Sequence, residues 1–161
     1  MNFTEHFESK IVDQKGLIKL LNLWRFKDEV IVFTNGCFDI LHRGHLHVLN
    51  EAAALGSKLI VGLNSDSSIK QIKKEGRPLQ NETSRAWLLA ALEITDAVIL
   101  FDEPTPKKLI ELVKPDFLVK GGDYKPDEIE GREFANQVKI VPFLEGYSTT
   151  SIEEKIQKNQ I

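Results

Sequence analysis

Two histidines three residues apart, His42 and His45, flank a glycine shortly after a β-branched apolar run. On a helical turn, this spacing places both imidazoles on one face. Imidazoles and free backbone N–H groups at a strand-to-helix turn can bind a polyphosphate and stabilise charge that grows in a transition state. Half of a zinc site is the alternative, but zinc takes three or four ligands, and the sequence offers no cysteine or histidine partners at ligand spacing. The motif therefore indicates chemistry on nucleotides.

A basic cluster follows the second apolar run. Lys70, Lys73, Lys74 and Arg77 place four cations within eight residues, which is enough to clamp a phosphate. A solvated helix face is the alternative for such lysines. We expect Lys73 to act in catalysis and, with Lys70 and Arg77, to bind the substrate phosphate.

Paired glycines follow the fourth apolar run, in the segment Lys120-Gly121-Gly122-Asp123. Glycines at the carboxyl end of a strand expose backbone N–H and C=O groups to a ligand. Lys120 could then contact a substrate phosphate, and Asp123 the hydroxyl groups of a sugar. A plain turn between a strand and a helix is the alternative.

Three hydroxyl residues, Ser148, Thr149 and Thr150, precede the last predicted helix. Thr150 and Glu153 fit the capping-box pattern, which predicts that a helix begins there. The free N–H groups of that helix and the three hydroxyls would form a second anion site. Capping without any ligand is the alternative.

Five apolar runs alternate with amphipathic stretches and predict the sheet that positions these motifs. The runs cover residues 30–33, 58–63, 97–101, 116–120 and 138–141. Strands that are apolar on both faces and separated by helices predict an α/β fold, a Rossmann-like, doubly wound parallel five-stranded sheet with helices on both faces. Ligands of such sheets bind at the carboxyl ends of the strands. No Gly-x-Gly-x-x-Gly follows any strand, which counts against a Rossmann oxidoreductase.

Composition excludes several classes of protein. The net charge of −3 counts against broad nucleic-acid binding, which needs a basic surface. A single cysteine, Cys37, allows no internal disulfide and is typical of a reducing cytoplasm. No apolar stretch approaches the roughly 20 residues of a membrane span, and the polar first residues are not typical of a signal peptide. We expect a cytoplasmic protein that binds neither nucleic acid nor membrane.

The segment Gly-x-Phe-Asp-x-x-His-x-Gly-His at residues 36–45 resembles the signature of the cytidylyltransferase-like nucleotidyltransferases. The resemblance implies that the His-x-Gly-His segment holds the phosphates of a nucleotide, that Gly-x-Ser-Thr-Thr at 146–150 binds its β- and γ-phosphates, and that Arg85 faces the nucleotide. The expected nucleotide-binding residues are Cys37, Phe38, His42, Gly44, His45, Arg85, Gly122, Asp123, Ser148, Thr149 and Thr150, of which His42 and His45 are also catalytic with Lys73.

Within that superfamily, residues 34–39, 64–68, 77–78 and 118–126 resemble the D-glycero-β-D-manno-heptose 1-phosphate adenylyltransferases, which make ADP-heptose precursors of lipopolysaccharide. The glycerol-phosphate and choline-phosphate cytidylyltransferases carry an arginine where this chain has Phe143-Leu144. The heptose activity is often fused behind a sugar kinase. Since no kinase-sized segment is present, we expect the stand-alone form, with residues 1–27 as a helical lead-in and residues 28–161 as a single nucleotidyltransferase domain.

The resemblance implies transfer of AMP from ATP to the sugar 1-phosphate, with pyrophosphate released and Mg²⁺ on the phosphates. The sequence singles out no metal ligand. We expect ATP and a sugar 1-phosphate as partners, and a homodimer or higher homo-oligomer. A cytidylyltransferase acting on glycerol 3-phosphate or a similar phosphorylated alcohol is the alternative, and a non-catalytic nucleotide-binding module is a further one.

Overall fold

Five short parallel strands form one sheet at the centre of the computed structural model, which describes residues 2–158. The strands are β1 (Ile31–Gly36), β2 (Lys58–Asn64), β3 (Ala97–Phe101), β4 (Phe117–Gly121) and β5 (Gln137–Val141). The helices are α1 (Phe3–Lys10), α2 (Gln14–Phe26), α3 (Arg43–Ala53), α4 (Asp66–Ile72), α5 (Glu82–Ala90), α6 (Lys107–Val113) and α7 (Thr149–Lys158).

The strand order is β3-β2-β1-β4-β5, and every pairing is parallel. Thr34 of β1, for example, pairs with Val61 on one side and with Val119 on the other. The chain therefore winds outward from β1 in one direction through β3 and then in the other through β5. The point of reversal, between β1 and β4, is where open α/β sheets bind their ligands. The predicted fold is confirmed.

Two apolar clusters, one on each face of the sheet, explain why the strands are apolar on both sides. Alternate residues of β1 illustrate the division: Ile31 and Phe33 pack in the cluster beneath α2 and α6, whereas Val32 packs in the cluster beneath α3 and α5. All three are at most 2% exposed. The central strand β1 thus buries both sets of side chains, whereas the edge strand β5 leaves Gln137 and Lys139 exposed.

The N-terminal segment packs against the same core. Leu17, Leu21 and Trp24 of α2 are buried in the first cluster. The predicted helical lead-in is broken into two helices, because Ile11 makes a parallel bridge to Val98 of the edge strand β3. Asp13 then caps α2, since its side chain accepts a hydrogen bond of 2.7 Å from the Gly16 N–H. No helix among residues 2–158 is long and apolar enough to cross a membrane.

Candidate active site

A cleft of about 700 Å³ lies at the carboxyl ends of the strands, between the turn after β1, the loop between α4 and α5, and the start of α7. Its walls bring together residues that the sequence places far apart. The predicted site residues that line it are Cys37, Phe38, His45, Lys73, Arg77, Lys120, Thr149 and Thr150.

The two histidines of the motif lie against each other at the start of α3. Their rings are stacked, with centroids 3.9 Å apart and planes inclined by 25°. His42 also caps the helix, because its Nδ1 accepts a hydrogen bond of 3.1 Å from the Gly44 N–H. The ring of Phe38 packs on His45 at a centroid distance of 5.1 Å. His42 is thus held by the helix it caps, and His45 by two neighbouring rings.

Both imidazoles are neutral at pH 7 in this site. Burial lowers the pKa of His42, and burial together with the neighbouring His42 lowers the pKa of His45 to about 4. The Nδ1 atom of His45 is buried without a hydrogen-bond partner among the described residues. A neutral imidazole offers one donor and one acceptor, so His45 can donate to a phosphate oxygen without first carrying a charge.

Gly44 has a structural reason to be glycine. A β-carbon there would lie 2.9 Å from Cε1 of His42 and 3.2 Å from the Tyr147 carbonyl oxygen. The space above Gly44 is therefore taken by the capping imidazole and by the segment before α7. This close approach places the beginning of α3 beside the segment that leads into α7.

Asp39 joins the histidine turn to the loop before α5. Its carboxylate accepts hydrogen bonds of 2.9 Å from the N–H groups of Leu79 and Gln80, and of 2.8 Å from Arg77 Nη1. Burial alone would raise the pKa of Asp39, but these hydrogen bonds and the guanidinium charge hold it below its ordinary value. Sequence reasoning did not select Asp39, although it belongs to the Phe-Asp pair of the motif. Phe38 before it has a left-handed φ of 48°, a conformation that costs about 1 kcal/mol or more for such a residue.

The predicted basic cluster divides between two places. Lys73 and Arg77 line the cleft, where Arg77 forms ion pairs with both Asp39 and Glu153. Lys70 is exposed and lines a separate surface depression, which Lys74 and Arg77 also border. The substrate-phosphate contact predicted for Lys70 is therefore not supported by its position.

Lys120 is a partly buried cation in the wall of the cleft. Its Nζ donates a hydrogen bond to Oδ1 of Asn35 across β1 and β4. Burial lowers the pKa of Lys120 to about 8, so a substantial fraction is charged at pH 7. Asn35 was not predicted, and its signal is only its place at the end of β1.

The glycine pair after β4 acts differently from expectation. Gly122 is buried with a φ of 131°, and its N–H donates to the Val141 carbonyl oxygen at 2.9 Å. Asp123 is exposed. Neither residue is part of the cleft wall, which is formed here by Gly121 and Tyr124. Gly122 thus sets the turn after β4, and the direct nucleotide contacts predicted for Gly122 and Asp123 are not supported by this arrangement.

Arg85 does not face the cleft, contrary to the sequence prediction. Its side chain is completely buried. It donates hydrogen bonds of 2.7 to 3.0 Å to three backbone carbonyls and one carboxylate, those of Cys37, Asn64, Gln80 and Asp66. The guanidinium therefore ties the turns after β1 and β2 to α5, and its donors are occupied by the protein itself.

The capping box predicted at Thr150 and Glu153 is wrong. Ser148 performs the capping, since its Oγ accepts from the Ser151 N–H at 3.0 Å, and Ser151 Oγ accepts from the Ser148 N–H at 3.3 Å. Ser148 is exposed and is not among the cleft-lining residues, whereas Thr149 and Thr150 are. The Glu153 carboxylate instead pairs with Arg77.

Residues 33–158 match the Cytidylyltransferase-like family. The chain belongs to this family. It is 51% identical to the bifunctional protein HldE of Helicobacter hepaticus over 160 residues, which is 99% of this chain and 33% of that protein. It is 54% identical to the bifunctional protein HldE of Helicobacter pylori (strain Shi470) over 142 residues, 88% of this chain and 31% of that protein. The chain spans about a third of the length of these relatives.

Two solved structures share the fold of this family member. The lipopolysaccharide core biosynthesis protein from Thermoplasma volcanium is 33% identical with a TM-score of 0.59, over 74% of this chain and 99% of that chain. The pantoate-beta-alanine ligase from Francisella tularensis has a TM-score of 0.58 at 15% identity, over 94% of this chain and 78% of that chain. At that identity, the ligase supports the fold alone.

Proposed function

We propose that this chain is an adenylyltransferase that transfers AMP from ATP to D-glycero-β-D-manno-heptose 1-phosphate, giving ADP-heptose and pyrophosphate for lipopolysaccharide core precursors. The observation that carries the proposal is the convergence of His45, Lys120 and the start of α7 on one cleft at the switch point of the sheet. A triphosphate needs two neighbouring anion sites, and the histidine turn and the α7 N-terminus would supply them.

The choice of substrates has separate support. Residues 34–39, 64–68 and 118–126 resemble the heptose 1-phosphate adenylyltransferases, and Phe143-Leu144 replaces the arginine of two cytidylyltransferase groups. The relative from Thermoplasma volcanium is named as a lipopolysaccharide core biosynthesis protein.

The reaction needs little proton transfer. An oxygen of the sugar phosphate attacks the α-phosphorus of ATP in line, and the bond to the bridging oxygen of pyrophosphate breaks. The attacking phosphate is already anionic, so no strong general base is required. Catalysis then comes from positioning and from electrostatic stabilisation of the charge on the phosphoryl oxygens.

Different residues of the cleft would contact different parts of the two substrates. His45, supported by the stacked His42, would donate to the α-phosphate or the bridging oxygen. The α7 N–H groups with Thr149 and Thr150 would hold the departing pyrophosphate. Lys73 and Lys120 would balance the charge of the sugar phosphate.

Magnesium would enter as MgATP, carried by the phosphate oxygens. No group of three or more His, Cys, Asp or Glu residues able to hold a metal lies within residues 2–158. The protein's part is therefore to bind the phosphates, which themselves offer the oxygen ligands that Mg²⁺ prefers.

We also propose a cytoplasmic enzyme that works as a homodimer or a higher homo-oligomer. The single cysteine and the net charge of −3 support a reducing compartment and a small-molecule partner. Light scattering at several concentrations tests the assembly, and a single mass equal to one chain at all of them would contradict it.

A pyrophosphate-release panel tests the function. The purified chain is incubated with ATP, CTP, GTP or UTP and a series of acceptors: heptose 1-phosphate, glucose 1-phosphate and glycerol 3-phosphate. We expect the highest kcat/KM with ATP and heptose 1-phosphate, and an ADP-sugar by mass spectrometry. His45→Ala serves as the inactive control. An equal or higher kcat/KM with CTP would assign the chain to the cytidylyltransferase alternative, and binding without turnover would indicate the non-catalytic module.

A further inference from the structure

Arg77 lies between two carboxylates in the wall of the cleft. Its Nη1 is 2.8 Å from Oδ2 of Asp39, and its Nη2 forms an ion pair with Glu153. The three side chains come from different segments: the turn after β1, the loop before α5, and α7. The Arg77 side chain is 20% exposed, so a ligand in the cleft can reach it.

The two carboxylates beside Arg77 oppose the binding of an anion to its guanidinium. Two carboxylates around one guanidinium give the group a net charge of −1, and a phosphate approaching Arg77 would meet two negative charges at close range. At a few ångströms, like charges near a protein surface repel each other strongly. Arg77 can therefore bind a substrate phosphate only after one carboxylate has moved away.

Glu153 is the carboxylate that can move. The Asp39 side chain is 9% exposed and accepts hydrogen bonds from the N–H groups of Leu79 and Gln80 as well as from Arg77. The Glu153 side chain is 27% exposed, and Arg77 is its one ionic partner within residues 2–158. Displacing Asp39 would leave the N–H groups of Leu79 and Gln80 without an acceptor, whereas displacing Glu153 leaves no backbone N–H group among the described residues unpaired.

We propose that Glu153 competes with the substrate phosphate for Arg77. The Glu153 carboxylate pairs with the guanidinium and is displaced from it when the phosphate binds. The identity of the phosphate as that of a sugar 1-phosphate rests on the proposed function, but the exchange itself does not. Because Thr149 and Thr150 precede Glu153 on the same helix, the exchange also frees α7 from the loop that carries Arg77.

Glu153→Gln and Glu154→Gln form a matched pair for the test. Each substitution removes one negative charge from α7, but Glu154 is exposed and makes no ion pair with Arg77 in the structure. The dissociation constant of inorganic phosphate is measured for both by ³¹P NMR titration. We expect Glu153→Gln to bind phosphate about fivefold more tightly than the native chain, and Glu154→Gln to differ by less than about twofold.

The dependence on Arg77 is tested in a second background. In Arg77→Gln, adding Glu153→Gln should change the phosphate affinity no more than adding Glu154→Gln. Equal gains for the two glutamate variants in the native background would reduce the effect to net charge and overturn the proposal. Weaker phosphate binding by Glu153→Gln would also overturn it, because Glu153 would then support the site. Turnover does not enter these measurements, so they remain decisive even if the pyrophosphate panel fails.

Discussion

The imidazole rings of His42 and His45 are stacked at 3.9 Å, and the two rings have different tasks. His42 caps α3 through its Nδ1, whereas His45 lines the cleft beneath Phe38. Burial lowers the pKa of both imidazoles, and the contact with His42 lowers the pKa of His45 further. A bound polyphosphate would raise the pKa of the pair, since an opposite charge nearby favours the protonated form.

Replacing His42 by asparagine should separate capping from catalysis. Asparagine is a good N-cap and can replace the hydrogen bond to the Gly44 N–H, but it lacks the ring that supports His45. Because His45 would lose the ring that holds its donor toward the transition state, we expect kcat to fall by up to about a hundredfold, the cost of losing one such donor, with little change in the dissociation constant of ATP or in melting temperature. His42→Ala should lose activity and also about 1 kcal/mol of stability. Near-native turnover by His42→Asn would show that only the cap matters.

The low pKa of His45 predicts a loss of stability in mild acid. The pKa is about 4 in the folded chain and 6.5 when unfolded, so between these values the unfolded chain binds more protons. The free energy of unfolding is therefore unaffected by His45 above pH 6.5 and decreases as the pH falls from 6.5 toward 4. By pH 5, the loss should be on the order of 2 kcal/mol.

Urea unfolding at pH 7 and pH 5 measures that loss, with His45→Asn as the comparison because asparagine does not titrate. The native chain should lose about 2 kcal/mol more than the variant over this interval. The same loss in both proteins would place the acid sensitivity in other groups.

The fold could be predicted because its signals are local. Most strands are short runs that are apolar on both faces, and the covered sheet follows from that property. The edge strand β5, with Gln137 and Lys139 exposed, is the exception. The motif residues that line the cleft, such as His45 and Thr149, lie in the first turn of the helix that follows a strand. The segment between a parallel strand and the next helix therefore predicted the place of these residues in the cleft, whereas the same rule failed for Gly122 and Asp123 after β4.

The errors concern residues whose partners are distant in sequence or belong to the backbone. Arg85 donates to three backbone carbonyl oxygens. Every residue carries such a carbonyl group, so the sequence does not show which of them will accept a hydrogen bond. Ser148 and Thr150 both fit a capping pattern, and only the geometry of α7 distinguishes them. Glu153 pairs with Arg77 because α7 and the loop before α5 meet at the carboxyl ends of the strands. The local charge pattern around either residue therefore could not predict the ion pair.

Arg85→Lys should destabilise the chain much more than it affects any single ligand contact. Lysine keeps the charge but cannot reach four acceptors in different directions, so buried carbonyl oxygens lose their donors. We expect a loss of about 3 kcal/mol in the free energy of unfolding, with the affinities for ATP and AMP reduced in parallel. Arg43→Lys, at an exposed position, is the control. Native stability combined with a selective loss of ATP binding would restore the nucleotide contact that the sequence predicts.

Ser148 and Thr150 allow the helix cap and the triphosphate site to be tested separately. Ser148→Ala removes the cap of α7 and should cost about 1 kcal/mol of stability without changing the ratio of the ATP and AMP dissociation constants. Thr150→Val keeps the shape and a similar helix propensity, so stability should hold. It removes a hydroxyl from the cleft wall, and ATP should bind about tenfold more weakly while AMP, which lacks the β- and γ-phosphates, is unaffected. Calorimetric titration with both nucleotides, beside thermal unfolding of each variant, distinguishes the two effects. If Ser148→Ala selectively weakens ATP and Thr150→Val does not, the triphosphate contact belongs to the capping serine, and the path of the phosphates must run outside the cleft described here.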